Sequence, residues 1–181
     1  IEDLGWDHCR QSFGVKIADR AFKLTAVAKK CGLVAFACAA SDGNGQMPDR
    51  TLRLAIDREV THTNYEHVLI FTDTSRTTQV WQWVRREPGK PLACREHTYH
   101  ASQPGDSLLQ KLQQLAVSLE EEEGGLALPE ITGRVRAAFD VERVTKRFYE
   151  QFRKEKDAFT EFIDGIPVDE DRHWYASVML N

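Results

Sequence analysis

Apolar residues recur at the short periods of strands through the first hundred positions and at the longer period of helices from about position 107 onward. Residues 13–17 and 22–28 are rich in β-suited side chains, and residues 33–40 form a nearly continuous apolar run. That run is the pattern of a strand buried on both faces. Gly32 and the cluster Asp42-Gly43-Asn44-Gly45 punctuate these strands. Pro48-Asp49 then opens an amphipathic helix, with Leu52, Ala55, Ile56 and Val60 on its apolar face and Arg50, Arg53, Asp57 and Arg58 on the other. Val68-Leu69-Ile70-Phe71 lies within a short buried strand, 67–72, entered directly from that helix. Strand, helix, strand predicts a right-handed crossover and a partly parallel sheet.

In residues 79–85, Val80, Gln82 and Val84 alternate with Trp81 and Trp83, as in a strand with two faces. Glu87-Pro88-Gly89-Lys90-Pro91 reads as a turn and residues 92–100 as the hairpin partner. The second half is helical. A helix over 107–119 carries Leu108, Leu109, Leu112, Leu115, Ala116 and Leu119 on one stripe, and Gly124-Gly125 closes the acidic run after it. Pro129 and Glu130 suit the first turn of a second helix reaching Phe139. Asp140 caps a third, whose buried side is Val144, Phe148, Phe152, Phe159 and Phe162, and Gly165-Ile166-Pro167 breaks it. Trp174 and Tyr175 open a last apolar pattern that stops at Asn181, as in a truncated fragment. These patterns predict an α/β domain over 1–105, a mixed sheet with a crossing helix, followed by a helical connector over 106–181.

With 41% hydrophobic and 29% charged residues the composition is that of a folded globular chain. The longest apolar run is about half the length of a membrane span, and Ile1-Glu2-Asp3 is no leader, so the expectation is a cytoplasmic protein without membrane partners. Cys9, Cys31, Cys38 and Cys94 show no C-x-x-C pairing and read as reduced core thiols. Zinc on Cys94, His97 and His100 lacks a fourth ligand, and strand residues three apart face opposite sides. The net charge of −4 excludes a uniformly basic nucleic-acid coat. Locally, however, residues 134–156 hold eight basic against four acidic residues.

The order of elements matches a restriction-endonuclease-like core, in which an acidic residue on one strand and a D/E-x-K on the next bind a metal that orients water. The strand expected to carry it reads Ala35-Phe36-Ala37-Cys38, without carboxylate or lysine. Asp19, Asp42 and Asp49 are the remaining metal candidates, with Mg2+ as the ion if cleavage occurs. Phosphate-loop, nucleophile-elbow and dinucleotide-fingerprint motifs are absent, as is the acidic-Pro-Pro-aromatic tetrapeptide of amino-methyltransferases. Two basic patches are candidates for DNA. One is Arg134, Arg136, Arg143, Lys146, Arg147, Arg153 and Lys154, which equally suit a solvated face paired with Glu142, Glu150 and Glu155. The other is Arg85, Arg86, Lys90 and Arg95 beside Trp81 and Trp83, a pair that suits base stacking but is more often core. His62, His67, His97 and His100 read as satisfied or surface histidines.

Long consecutive strings carry a resemblance. Glu66-His67-Val68-Leu69-Ile70-Phe71-Thr72-Asp73, the stretch from Gln79 to Pro91, and Arg95-Glu96-His97-Thr98-Tyr99-His100 resemble the amino-terminal region of Eco57I-like, type IIG restriction-modification adenine methyltransferases. The run from Arg136 to Tyr149 and the ending from Trp174 to Asn181 are similar to the helical linker leading to their methylating domain. The resemblance implies a parent enzyme that methylates adenine N6 in double-stranded DNA with S-adenosylmethionine, through a downstream methyltransferase domain beyond Asn181. It assigns this chain no catalytic residue and implies a DNA-binding or positioning module, with a metal-dependent endonuclease and a protein-interaction scaffold as the alternatives.

Overall fold

A computed structural model describes residues 4–40 and 46–179, with the backbone alone for 141–150. In chain order the elements are β1 (Asp7–His8), β2 (Ser12–Ile17), β3 (Arg20–Lys30), β4 (Leu33–Ala39), α1 (Arg50–Thr63), β5 (His67–Thr72), β6 (Thr78–Arg85), β7 (Ala93–His100), α2 (Asp106–Gln113), α3 (Leu119–Glu123), α4 (Leu128–Phe139), α5 (Val141–Phe162) and α6 (Asp169–Met179). The fold is mixed α/β. One seven-stranded sheet runs β1-β3-β4-β5-β6-β7, with β2 sharing with β1 the outer side of β3. Among the described strands only β4 and β5 pair in parallel, Val34 with His67 through Ala39 with Thr72, and α1 makes the crossover between them.

Helices cover both faces of the sheet, which is why the central strands read as unbroken apolar runs. On one face Val34, Phe36, Cys38, Leu69, Phe71 and Val80 pack with Ile56 and Val60 of α1. On the other, Ala35, Val68, Ile70, Trp81 and Trp83 pack with Leu108 of α2 and Ile131, Val135, Ala138 and Phe139 of α4. The two tryptophans are therefore core side chains, 7% and 2% exposed, and present no stacking surface. The helix α1 starts where Asp49 accepts the Leu52 amide at 2.9 Å, a side-chain N-cap.

The helix expected over 107–119 is instead two helices. The chain leaves α2 after Gln113 because Leu115 and Val117 are taken into the core, where the Leu115 carbonyl accepts from Trp6 Nε1 at 2.8 Å. The Val117 amide donates to the Leu4 carbonyl at 2.8 Å. Ser118 restarts the helix with a reciprocal capping box to Glu121, and Lys30 of β3 holds the new turn through Glu122 at 2.7 Å.

Contacts divide the chain into Ile1–Phe139 and Asp140–Asn181. Helices α2 to α4, expected in the connector, thus belong to the compact unit of the sheet, because α2 and α4 supply one of its two cores. In the second unit α5 and α6 pack on each other, and Thr160 of α5 and Ala176 of α6 are buried. Two helices cannot cover all their apolar residues, so Phe162, expected on a buried side, is 83% exposed, and Phe152 is exposed as well. Asp140 occupies the N-cap position of α5 without a side-chain capping hydrogen bond. Among the described residues no helix is long and apolar enough to cross a membrane.

Candidate functional site

The β6–β7 turn begins where β6 leaves the sheet at Arg85, and it brings together charges that are distant in sequence. Glu87 is its centre. Lys90 Nζ lies 2.6 Å from Glu87 Oε2, while Arg136 Nη1 from α4 lies 3.0 Å and Arg85 Nε 3.8 Å from Oε1. The hydrogen bond from Lys90, helped by Arg136 and Arg85, holds the Glu87 carboxyl below the usual carboxylate range despite some desolvation. Three cations converge on one carboxylate, and two of them, Lys90 and Arg136, are exposed. Arg136 and the Arg85–Lys90 stretch, two separate patches along the chain, are one surface in the fold.

Arg86 turns the other way. Its side chain is only 5% exposed, and its Nη2 lies 2.6 Å from both oxygens of Asp57 while Nη1 donates to the Val84 carbonyl at 3.0 Å. Asp57 also meets His67 Nε2 at 2.9 Å, and His67 Nδ1 donates to the Asn64 carbonyl at 2.7 Å. Both ring nitrogens face oxygen acceptors. Burial pushes the Asp57 carboxyl up, but the hydrogen bonds from His67 and Arg86 outweigh it, so it titrates below its ordinary value. Glu66 next to this cluster moves up, because burial outweighs the attraction of Arg86 and His67.

This cluster corrects two expectations. Asp57 is 4% exposed and belongs to the buried side of α1, because Arg86 and His67 reach it across the α1–sheet interface. Arg86 is a partner of Asp57 and is not presented as a phosphate ligand. A weak signal was present in the sequence: Asp57 stands three before Val60 and four after Arg53, on the flank of the apolar stripe.

The other expected sites are scattered. Arg134 donates to the Ala116 carbonyl and pairs with Glu121, away from the Glu87 surface. Arg95 lies half-buried on β7, its Nη1 3.5 Å from the Cys94 carbonyl. Arg153 and Lys154 are exposed on α5, while the side chains of Arg143, Lys146 and Arg147 lie outside the described residues. Asp19 is exposed in the β2–β3 turn, Asp49 is occupied as the cap of α1, and Asp42 lies outside the described residues. Neither β3 nor β4 carries a carboxylate. Cys31 lies in the β3–β4 turn at φ 48°, and its thiol donates to the Leu126 carbonyl at 3.2 Å. Burial pushes the Cys38 and Cys94 thiols up to about 11, which removes thiolate reactivity near neutral pH. Among the described residues no three His, Cys, Asp or Glu side chains are grouped as metal ligands. No protein-family model matches the chain, and no curated protein matches it either.

Proposed function

We propose that this chain is the DNA-positioning, amino-terminal part of a type IIG restriction-modification adenine methyltransferase, built on a restriction-endonuclease-like sheet that has lost its cutting residues. The fold reading is supported by the run β2-β3-β4-β5-β6, in which β3 and β6 are antiparallel to their neighbours and α1 crosses between the parallel pair. The observation that carries the binding role is the convergence of Arg85, Lys90 and Arg136 on the single carboxylate of Glu87. Exposed cations such as Lys90 and Arg136 bind phosphates with release of counterions, whatever the base sequence.

Cleavage requires oxygen ligands for Mg2+. Register places Thr25, Ala37, Ile70, Trp81 and His97 side by side across five strands, and Ala39, Thr72, Gln79 and Tyr99 in the next row on the same face. Neither row offers a carboxylate; on the opposite face the row through Ala26, Phe36, Leu69 and Gln82 reaches Glu96, which is paired with Arg53 at 3.0 Å, so the described residues do not fit the ion and no hydrolytic step is derived. S-adenosylmethionine belongs to the methylating domain that the resemblance implies, and no residue here is assigned to it.

The test is binding to labelled duplex DNA at two salt concentrations with magnesium present, followed by inspection of the DNA for cuts. Salt-weakened binding without cuts is expected. In the double variant Lys90→Glu, Arg136→Glu, whose targets are 62% and 52% exposed, the slope of log affinity against log salt should fall by about 2, at about 0.9 per lost phosphate contact. An unchanged slope would remove this surface from the reading, and absence of binding at either salt would end the reading itself. Cuts abolished by a chelator would reinstate the endonuclease. Charge reversal at Arg143, Lys146 and Arg147 tests the α5 patch in the same assay, and unchanged affinity would strike it out.

A further inference from the structure

Beside the Glu87 surface, an open cleft of about 470 Å³ lies between the last turns of α1 and the β6–β7 turn. Its size is that of a small-molecule site. The two walls come from different elements. One carries Arg58 and His62, four apart on α1, and Tyr65 from the α1–β5 connection; the other carries Pro88 and Leu92 from the turn. Tyr65 is 56% and Leu92 61% exposed, so both show apolar surface at the rim of one cavity. Arg86 and Asp57 form a fixed floor, since each is already held by the other.

Arg58 and His62 are exposed and have no ion-pair or hydrogen-bond partner among the described residues. Of the charged groups lining the cleft, Asp57 is paired with Arg86 and Glu87 with Lys90 and Arg136 from outside it, which leaves Arg58 as the lining charge without a partner among the described residues. The carboxy-terminal end of α1 opposes an anion by only about half a charge. A cationic ligand would meet the unpartnered Arg58, and a purely apolar one leaves Arg58 and His62 unused. A flat ring with an attached anion uses both features: the ring enters between Tyr65 and the Pro88–Leu92 wall, and the anion meets Arg58 and His62.

We infer that this cleft binds one nucleoside monophosphate unit, taken either from a single-stranded or unpaired stretch of DNA or as the free nucleotide. The inference rests on the DNA-positioning reading for its ligand class, but it concerns different residues from the duplex surface of Lys90 and Arg136. Aromatic stacking with arginine at the backbone is how single strands are held without sequence preference.

Calorimetry on the full chain with deoxyadenosine monophosphate, deoxyadenosine and inorganic phosphate tests it, with single-stranded oligodeoxyadenylate and duplex DNA as competitors. The monophosphate should bind more tightly than either of its parts. Tyr65→Ala and Arg58→Glu, both at exposed positions, should each weaken it about fivefold or more, without altering duplex affinity by as much. Competition by the oligomer identifies a strand as the source, and binding without competition identifies the free nucleotide. No binding of the monophosphate at millimolar concentration, or equal affinity in wild type and both variants, overturns the inference. If duplex binding persists in that case, the positioning role stands without the cleft. If the monophosphate binds and duplex does not, the cleft stands and the positioning role falls.

Discussion

Replacing Asp57 by Ala removes the carboxylate that hydrogen-bonds both Arg86 and His67, whose side chains are 5% and 0% exposed. A buried ion pair broken on one side leaves an uncompensated charge, at a cost of about 3–5 kcal/mol. A domain has about 5–15 kcal/mol of stability in total, and at about 3–4 °C per kcal/mol for a unit of this size the midpoint should fall by about 9–20 °C. Calorimetry and urea titration at pH 7 measure this directly. The pH dependence supplies a second reading. The Asp57 carboxyl is depressed in the folded state, so its contribution is fully present above the unfolded value of about 3.9 and is lost as pH falls through the lower folded value. The gap between wild type and Asp57→Ala should therefore be widest near neutral pH and narrow below about pH 4. Arg86→Met should destabilise less in the Asp57→Ala background than in wild type, because the pair is already broken. A loss under about 1 kcal/mol at pH 7, additive with Arg86→Met, would refute the view that this network ties α1 to the sheet.

Two further outcomes test how the unit is closed. Gly5→Ala should destabilise by about 2 kcal/mol or more in urea titration, since Gly5 sits at φ +73° and a Cβ there would strike the Val117 carbonyl oxygen. Equal stability would mean that the Leu4–Val117 contact is not part of the folded core. Asp49→Ala should cost about 1 kcal/mol by loss of the α1 cap, while Asp49→Ser should recover most of it, as read from thermal midpoints; a metal role for Asp49 would not show that rescue in metal-free buffer.

Local patterns along the chain determined much of the architecture. The run 67–72 was readable because it is short, apolar and β-branched, and α1 because its apolar residues repeat at helical spacing after Pro48-Asp49. The same is true of the 87–91 turn and of the start of α4 at Leu128–Pro129. The missing carboxylates on β4 were plain from sequence, because a strand supplies its own letters wherever it lies. What periodicity does not encode is which distant groups meet. Leu115 continues a helical stripe, yet Leu4 and Trp6, over a hundred residues earlier, supply hydrogen bonds and packing that draw it and Val117 out of the helix. Asp57 reads as a solvent-facing acid until Arg86, 29 residues later, arrives beside it with His67 and makes burial affordable. Arg136 meets Glu87 only because α4 packs on the sheet near the end of β6. Element type follows from short-range spacing, whereas the candidate site follows from charges that attract only once the sheet and its helices have brought them within a few ångströms.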